Sequence, residues 1–192
     1  MCDFQTFEKK YMSKSAIKFI ALVLVFCSCN MNSPVDYFSR AALNCNLMYG
    51  FAGNVFHRQL AEPSVKLVDE KTMKTEPMKR TEFVQNKITS IEESFEKVKA
   101  LGDDKEAADM IKASKEIHEF VLPVYKNEYM QVAKLYDDGA DKLKIEEAEN
   151  QIIQKYQTRF LDLYDKLWAA GKAYAAKNGI TVRETNPSPG NY

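Results

Sequence analysis

Apolar side chains recur every three or four positions along most of this chain, and the recurrence predicts four amphipathic helices. Residues at those steps share one face of a helix that has about 3.6 residues per turn. Prolines and glycines separate the periodic segments, as is typical of helix ends. The four predicted helices cover residues 36–61, 79–101, 105–137 and 143–178.

The second and fourth predicted helices have the most regular apolar stripes. In the second, steps of four and three approach the spacing of a coiled-coil seam, and the stripe consists of Val84, Ile88, Ile91, Phe95 and Val98. The stripe of the fourth consists of Ile145, Ala148, Ile152, Tyr156, Phe160, Leu163, Leu167, Ala170 and Tyr174. We expect Gly102 to end the second helix and Gly179 to end the fourth in the left-handed conformation.

The first and third predicted helices are less regular. Asp36 is placed to cap the first, because its carboxylate can accept a hydrogen bond from a free amide of the first turn. Asp103 is placed to cap the third in the same way. Pro123 lies inside the third helix, where proline removes one backbone hydrogen bond and clashes with the carbonyl four residues earlier. We therefore expect a kink near residues 119–123.

Residues 62–78 form the longest predicted connection, with two prolines, several threonines and mixed charges. They are expected to form a loop, or in part a continuation of the first helix.

No run of alternating β-branched residues indicates a strand, so the predicted fold class is all-α. Four such stripes bury one another most simply in an up-down-up-down four-helix bundle over residues 36–182. Residues 183–192, with two prolines and no apolar pattern, are expected to be a disordered tail.

The N-terminal segment has the pattern of a bacterial lipoprotein signal. An apolar stretch of 13 residues ends at Cys29 and follows Lys14. A membrane-spanning helix needs ~20 apolar residues, whereas the core of a signal peptide has ~7–15. Ser28 is small enough to precede a cleavage site, and the polar segment 30–33 follows. We predict a signal peptide over residues 1–28, acylation of Cys29, and a lipidated spacer over residues 29–35.

Two features of this segment leave alternatives open. Phe26 occupies the third position before Cys29, where the lipoprotein motif prefers an aliphatic residue. A plain cleaved secretory signal, an uncleaved anchor and a cytosolic start are the alternatives. Acidic residues near Met1 are unusual in a signal, so translation starts at either Met1 or Met12. The predicted location is the bacterial cell envelope, with a lipid anchor in the outer membrane and the periplasmic or surface face undecided.

Composition places the remaining chain among ordinary globular domains. The first 28 residues hold four of the 27 basic and two of the 27 acidic side chains, which leaves 23 basic and 25 acidic. A protein with this balance and no basic cluster is not expected to bind nucleic acid. Beyond Cys29 the only cysteine is Cys45. It lies on an apolar face, which favours a buried thiol over an intermolecular disulfide or a reactive group.

The candidate catalytic and metal-binding motifs are weak. The chain has two histidines, His57 and His118, and neither belongs to the Glu-x-x-His pair of a di-iron bundle. His57 is expected to point outward and His118 to be a hydrogen-bonded boundary residue. Residues 137–141 are rich in aspartate, but their glycine comes too early for a calcium loop, so an interhelical turn with capping aspartates is expected. We predict no metal, no cofactor and no catalytic residue.

Tyrosines on the third and fourth predicted helices are the strongest candidates for ligand contacts. A short turn should hold these two helices side by side, where tyrosines would line an apolar groove with polar hydroxyls. Ordinary core packing is the competing interpretation. The residues concerned are Tyr125, Tyr129, Tyr136, Tyr156, Tyr164 and Tyr174.

The chain resembles a family of small helical bacterial surface lipoproteins of unknown function. The similar features are the lipoprotein cysteine, the Asp-Tyr pair at residues 36–37, the aromatic pattern at 120, 125 and 129, and the closing segment 174–182. The resemblance covers most of residues 29–182 and implies a helical bundle in the envelope. It implies no catalytic residue.

Three classes of function follow. The sequence favours a non-enzymatic, lipid-anchored module that binds another envelope protein or a host factor. The alternative is a helical bundle that binds an apolar or aromatic small molecule between the third and fourth helices. The third class, an enzyme, would require polar groups that converge in a cleft.

Overall fold

The computed structural model describes residues 32–62 and 64–183. These residues are mostly helical and include one two-stranded sheet. The elements are α1 (Pro34–Ala41), a 3₁₀ helix (Leu43–Met48), α2 (Asn54–Ala61), β1 (Ser64–Asp69), β2 (Lys74–Met78), α3 (Arg80–Lys99), α4 (Ala108–Val124), a π-helical turn (Tyr125–Tyr129), α5 (Met130–Asp137) and α6 (Lys142–Lys177). The predicted signal peptide, Cys29 and tail residues 184–192 lie outside the described residues.

The core lies where the apolar stripes of the long helices meet. Helix α6 packs against α1, α4 and α5, and α3 packs against the same three helices. The predicted stripe of the second helix is confirmed at four of its five positions, because Val84, Ile88, Ile91 and Val98 are buried in α3, and Phe95 is half-buried. Burial of these side chains supplies most of the driving force that orders helices too weak to form alone.

The first predicted helix is wrong as a single element. Residues 36–61 instead contain α1, the 3₁₀ helix and α2, separated at residues 49–53. Gly50 has φ +81°, and a Cβ on it would lie 2.8 Å from the Cβ of Val55. Ala52 also has a positive φ, +48°. These left-handed conformations turn the chain, so that Phe51 enters the core instead of continuing a helical stripe.

The cap of α1 also differs from the prediction. Ser33 is the N-cap, and its Oγ accepts a hydrogen bond from the Asp36 amide at 3.2 Å. The Asp36 carboxylate accepts from the Ser33 amide at 2.9 Å, which completes a capping box. Asp36 therefore stabilises the helix start from within the first turn, and not from the cap position.

A β-hairpin replaces the predicted connection and adds one two-stranded sheet to the predicted helical class. Strands β1 and β2 are antiparallel, with Lys66 opposite Glu76 and an irregular register between Leu67 and Asp69. The Asp69 carboxylate accepts hydrogen bonds from the amides of Lys71 and Thr72 at 2.8 and 3.3 Å, and these bonds shape the turn.

The hairpin lies on α3 through a polar contact, which explains why its pattern gave no strand signal. Lys66 faces the helix and its Nζ lies 2.6 Å from the Glu82 Oε1. Its apolar neighbours Val65 and Leu67 are 62% and 48% exposed. The usual alternation of buried apolar and exposed polar residues is therefore reversed in this strand.

The third predicted helix is divided by a π-helical turn directly after the expected kink region. Helix α4 continues through Pro123 to Val124, and the irregularity is the π-helical turn Tyr125–Tyr129 just after it. Proline offers no amide to the helix ladder, and a π turn is one way for the ladder to resume with a shifted register. At the start of the segment, Asp104 and not Asp103 accepts the free amides, those of Glu106 and Ala107.

The fourth predicted helix and the turn before it are confirmed. Gly139 and Gly179 have φ of +66° and +65°. Asp141 caps α6, because its Oδ1 accepts the Leu143 amide at 2.8 Å. The aspartate-rich segment 137–141 is thus an interhelical turn with capping carboxylates.

Asp137 joins the end of α5 to the start of α3. Its carboxylate accepts from the Arg80 amide at 2.7 Å, and from the amide and hydroxyl of Thr81 at 3.0 and 2.7 Å. Burial by itself raises the pKa of Asp137, but the hydrogen bonds from Thr81 and Arg80 outweigh it and hold the pKa below 3.8. A distant residue therefore performs the function of an N-cap.

We expect Asp137→Ala to lower the free energy of unfolding by ~1–2 kcal/mol, the range of a lost N-cap. The neighbouring exposed Asp138→Ala serves as the control and should change it by less than ~0.5 kcal/mol. Because the pKa of Asp137 is lowered on folding, its stabilisation is present well above pH 3.8 and is lost as the pH falls through the folded-state pKa. Urea titrations at several pH values measure this. Equal losses in the two variants would contradict the interhelical cap.

Candidate functional site

A cleft of about 440 Å³ lies between α5 and α6. Its lining combines aliphatic, amide and charged side chains from the π turn and both helices. The lining residues are Glu128, Gln131, Val132, Lys134, Leu135, Lys144, Ala148, Gln151, Ile152, Lys155 and Tyr156. A volume of this size falls in the ~300–1,000 Å³ range of small-molecule sites.

Helical spacing and the turn at Gly139 build this cleft. Positions 128, 131, 132 and 135 share one face of the α5 segment, and positions 144, 148, 151, 152 and 155 share one face of α6. The short connection after α5 sets these two faces against each other. The half-buried side chains of Leu135, Ala148 and Tyr156 form the apolar floor, and the polar side chains form the rim. Val132 and Ile152, which are 1% and 2% exposed, pack beneath this floor.

The charged groups divide the rim into two ends. Near the turn lie Lys134 and Lys144, which form no ion pair with any of the described residues. At the other end Tyr156 donates its hydroxyl hydrogen to the Glu128 Oε1. The Nζ of Lys155 lies 3.6 Å from the same oxygen and 4.8 Å from the centre of the Tyr156 ring. The lysines that line the cleft without an ion pair therefore lie only at the turn end.

A buried carboxylate holds α5 and α6 together behind the cleft. Glu149 is 8% exposed, and the Tyr136 hydroxyl donates to its Oε1 at 3.0 Å. Burial raises the pKa of Glu149, although the hydrogen bond from Tyr136 opposes this. Burial, followed by the nearby Glu149 charge, raises the pKa of Tyr136 to about 12. This hydrogen bond joins α5 to α6, and neither residue lines the cleft.

A second and more open depression of about 550 Å³ lies beside α3 and the hairpin. Phe83, Lys87 and Ser90 line its helical side. Burial lowers the pKa of Lys87. We consider this depression the weaker candidate because it encloses less of a bound molecule than the cleft does.

The structure separates the six tyrosines that the sequence predicted as one groove. Of these, Tyr156 alone lines the cleft. Tyr125 and Tyr129 are 0% exposed in the core, and Tyr174 is 2% exposed. Tyr136 binds Glu149. The remaining one, Tyr164, is half-buried.

Comparison with protein-family models, curated proteins and solved structures yields no match. The interpretation of the cleft therefore depends on its own geometry and charge.

An aromatic cluster fills the core, and Phe51 lies at its centre. The sequence predicted Phe51 on the apolar stripe of a continuous first helix, but in the structure it lies in a turn. The Phe51 ring centre lies 4.9 Å from that of Phe160 and 5.4 and 5.9 Å from those of Tyr125 and Tyr129. The Tyr129 hydroxyl accepts the Ala52 amide at 2.8 Å, so the turn is bonded to the core as well as packed into it. Gly50 and Gly53 flank residues 51–52, and two closely spaced glycines are the feature of the sequence that could have indicated this turn.

The two histidines are more deeply buried than predicted. His57 was expected to point outward but is 9% exposed, with its ring centre 6.2 Å from that of Tyr129. Burial lowers its pKa to about 4. His118 is 0% exposed, and its two ring nitrogens bond the Ser114 carbonyl and the Ser94 hydroxyl. Its predicted hydrogen bonding is confirmed, but its predicted boundary position is wrong.

The buried thiol at Cys45 is confirmed. The residue is 0% exposed, and burial raises its pKa to about 12. Among residues 32–62 and 64–183, no group of three or more His, Cys, Asp or Glu side chains is arranged to hold a metal ion. Within the same ranges, no helix combines the length and apolar content needed to cross a membrane.

Proposed function

We propose that this chain is a non-enzymatic binding protein of the bacterial cell envelope, anchored by acyl chains on Cys29. Its helical body would hold a small molecule in the cleft between α5 and α6. The observation that carries the binding part of this proposal is the cleft itself, because its volume and partly apolar lining can hold a small molecule and its polar side chains can orient one. Its lining residues offer contacts for binding and orientation.

The architecture that accompanies this proposal is an up-down-up-down four-helix bundle. Three long helical segments would form three of its members, and the interrupted segment 34–61 the fourth. The contacts of α1 with α3, α4 and α6 support this arrangement. A bundle of this kind places ligand sites between facing helices.

The envelope location depends on the sequence pattern that ends at Cys29. The anchor would keep the binding domain at a membrane surface, with residues 29–35 as the spacer. Two acyl signals are needed for stable attachment, since a single chain binds a bilayer reversibly.

We expect Cys29→Ala to abolish labelling of the full chain by radioactive palmitate and to release it from the membrane fraction. Cys27→Ala is the matched control, because it removes a thiol two residues away and leaves the acylation site intact. Intact mass of the membrane-fraction protein then reports both cleavage before residue 29 and the added acyl chains. Unchanged membrane association of Cys29→Ala would refute the anchor.

A further inference from the structure

We propose that the cleft between α5 and α6 binds a small amphiphilic anion, with its head between Lys134 and Lys144 and its apolar body on Leu135, Ala148 and Tyr156. This inference rests on the proposed binding function and specifies the chemical class of the ligand. A carboxylate and a phosphate head share the required chemistry.

Charge complementarity identifies the head. Lys134 comes three residues before the end of α5 and Lys144 two residues after the start of α6, so the turn brings them to the same end of the cleft. The nearby acids Glu146 and Asp141 have partners, since Glu146 pairs with Lys142 at 3.2 Å and Asp141 caps α6. Asp138 and Glu147 are exposed near the same turn, but neither lines the cleft. Two ammonium groups beside an apolar floor are suited to an anionic group.

The other end of the cleft selects against a second anionic head. There Glu128 offsets the charge of Lys155 and accepts the Tyr156 hydroxyl. Between the two ends, Leu135 and Ala148 continue the apolar surface from the lysines toward the Tyr156 ring, and this surface can receive the body of the ligand. The ligand would therefore bind with its head at the Gly139 turn and its body directed toward Tyr156.

Alkyl probes that differ only in the head group test the assignment. The full chain carries Cys29→Ala, so that the probe is the only acyl chain in the sample. We expect decanoate and decyl phosphate to bind at least ~tenfold more tightly than decanol or decyltrimethylammonium, a factor of the size expected for one or two charge-assisted contacts. NMR shifts should be confined to residues 128–135 and 144–156. A preference between the two anions separates a carboxylate ligand from a phosphate-headed one.

Charge-reversal variants of Lys134 and Lys144 test the anion assignment without disturbing the core, because both side chains are exposed. Lys134→Glu with Lys144→Glu should weaken decanoate binding by at least ~tenfold and leave decanol binding unchanged. Lys97→Glu with Lys105→Glu makes the same change in net charge at exposed positions outside the cleft. This control pair should change decanoate binding little, because physiological salt screens charges that lie outside the cleft. Ala148→Trp should block all probes by filling the cleft.

The outcomes separate the two levels of the proposal. Equal binding of decanoate and decanol in the cleft, with no effect of the lysine variants, would overturn the anion assignment and leave the binding function intact. Absence of any probe-dependent shift in residues 128–156 would overturn both.

Discussion

Replacement of Phe51 by alanine is expected to lower the free energy of unfolding by ~3–5 kcal/mol, the largest loss of any single change considered for this chain. The side chain is 1% exposed and its ring contacts four other aromatic rings. Truncation removes this burial and leaves a cavity that the surrounding helices cannot fill without moving. The loss includes edge-to-face ring contacts as well as transfer from water.

Urea unfolding monitored by circular dichroism measures this effect. Leu143→Ala is the control, because Leu143 is 74% exposed on α6 and its truncation should cost less than ~0.5 kcal/mol. Phe51→Leu should retain a large part of the stability, since it refills much of the site. A Phe51→Ala loss no larger than that of Leu143→Ala would mean that residues 49–53 do not lie in the core.

The second large effect is a contrast between two tyrosines of the same π turn. Tyr125 and Tyr129 are both 0% exposed, and their ring centres stack at 4.9 Å. The Tyr129 hydroxyl accepts the Ala52 amide at 2.8 Å, whereas the Tyr125 hydroxyl has no hydrogen-bond partner among the described residues. The same chemical change, loss of a hydroxyl, should therefore have opposite consequences.

We expect Tyr129→Phe to destabilise the protein by ~1–3 kcal/mol, because it leaves a buried backbone amide without an acceptor. Tyr125→Phe should be neutral or stabilising, because it removes a buried polar atom that has no partner. Each variant serves as the control for the other in side-chain volume and position. Chemical denaturation of both, with hydrogen exchange at the Ala52 amide, measures the contrast. If Tyr125→Phe were the more harmful change, the hydrogen bond from Ala52 would not be the one described.

Several elements could be predicted from the sequence because local rules determine them. Val84, Ile88 and Ile91 repeat at helical spacing and lie buried in α3. Gly179 ends α6 because a left-handed residue is needed there, and glycine adopts it without strain. The thiol of Cys45 is buried, as its place in an apolar stripe indicated.

The errors occur where a contact distant in sequence overrides the local pattern. The apolar periodicity of residues 36–61 allowed one continuous helix through Phe51. In the structure the Phe51 ring contacts those of Phe160 and Tyr125, and Tyr129 accepts a hydrogen bond from the turn. All three partners are more than seventy positions away in sequence. The hairpin was missed because its polar side faces α3 through Lys66 and Glu82, which reverses the usual alternation. Asp137 caps a helix that begins 57 residues earlier, and no capping motif in the sequence indicates such a partner.

The candidate site was likewise predicted in part from local patterns and decided in part by contacts between distant segments. The sequence predicted that the third and fourth helices lie side by side and that tyrosines lie between them. It assigned six tyrosines to one groove, because residues at helical spacing were treated as one face. Tyr125 and Tyr129, at the two ends of the π turn, lie in the core, and the cleft is formed mainly by lysines, glutamines and aliphatic side chains.

The sequence by itself determined the helical class, the bounds of α3 and α6 and the turn at Gly139, because periodicity, capping and left-handed glycines act within a few residues. Tertiary structure alone decided the insertion of Phe51, the hairpin against α3, the cap that Asp137 supplies and the composition of the cleft. Each of these depends on which helix faces which, and burial and hydrogen bonding between distant segments set that arrangement.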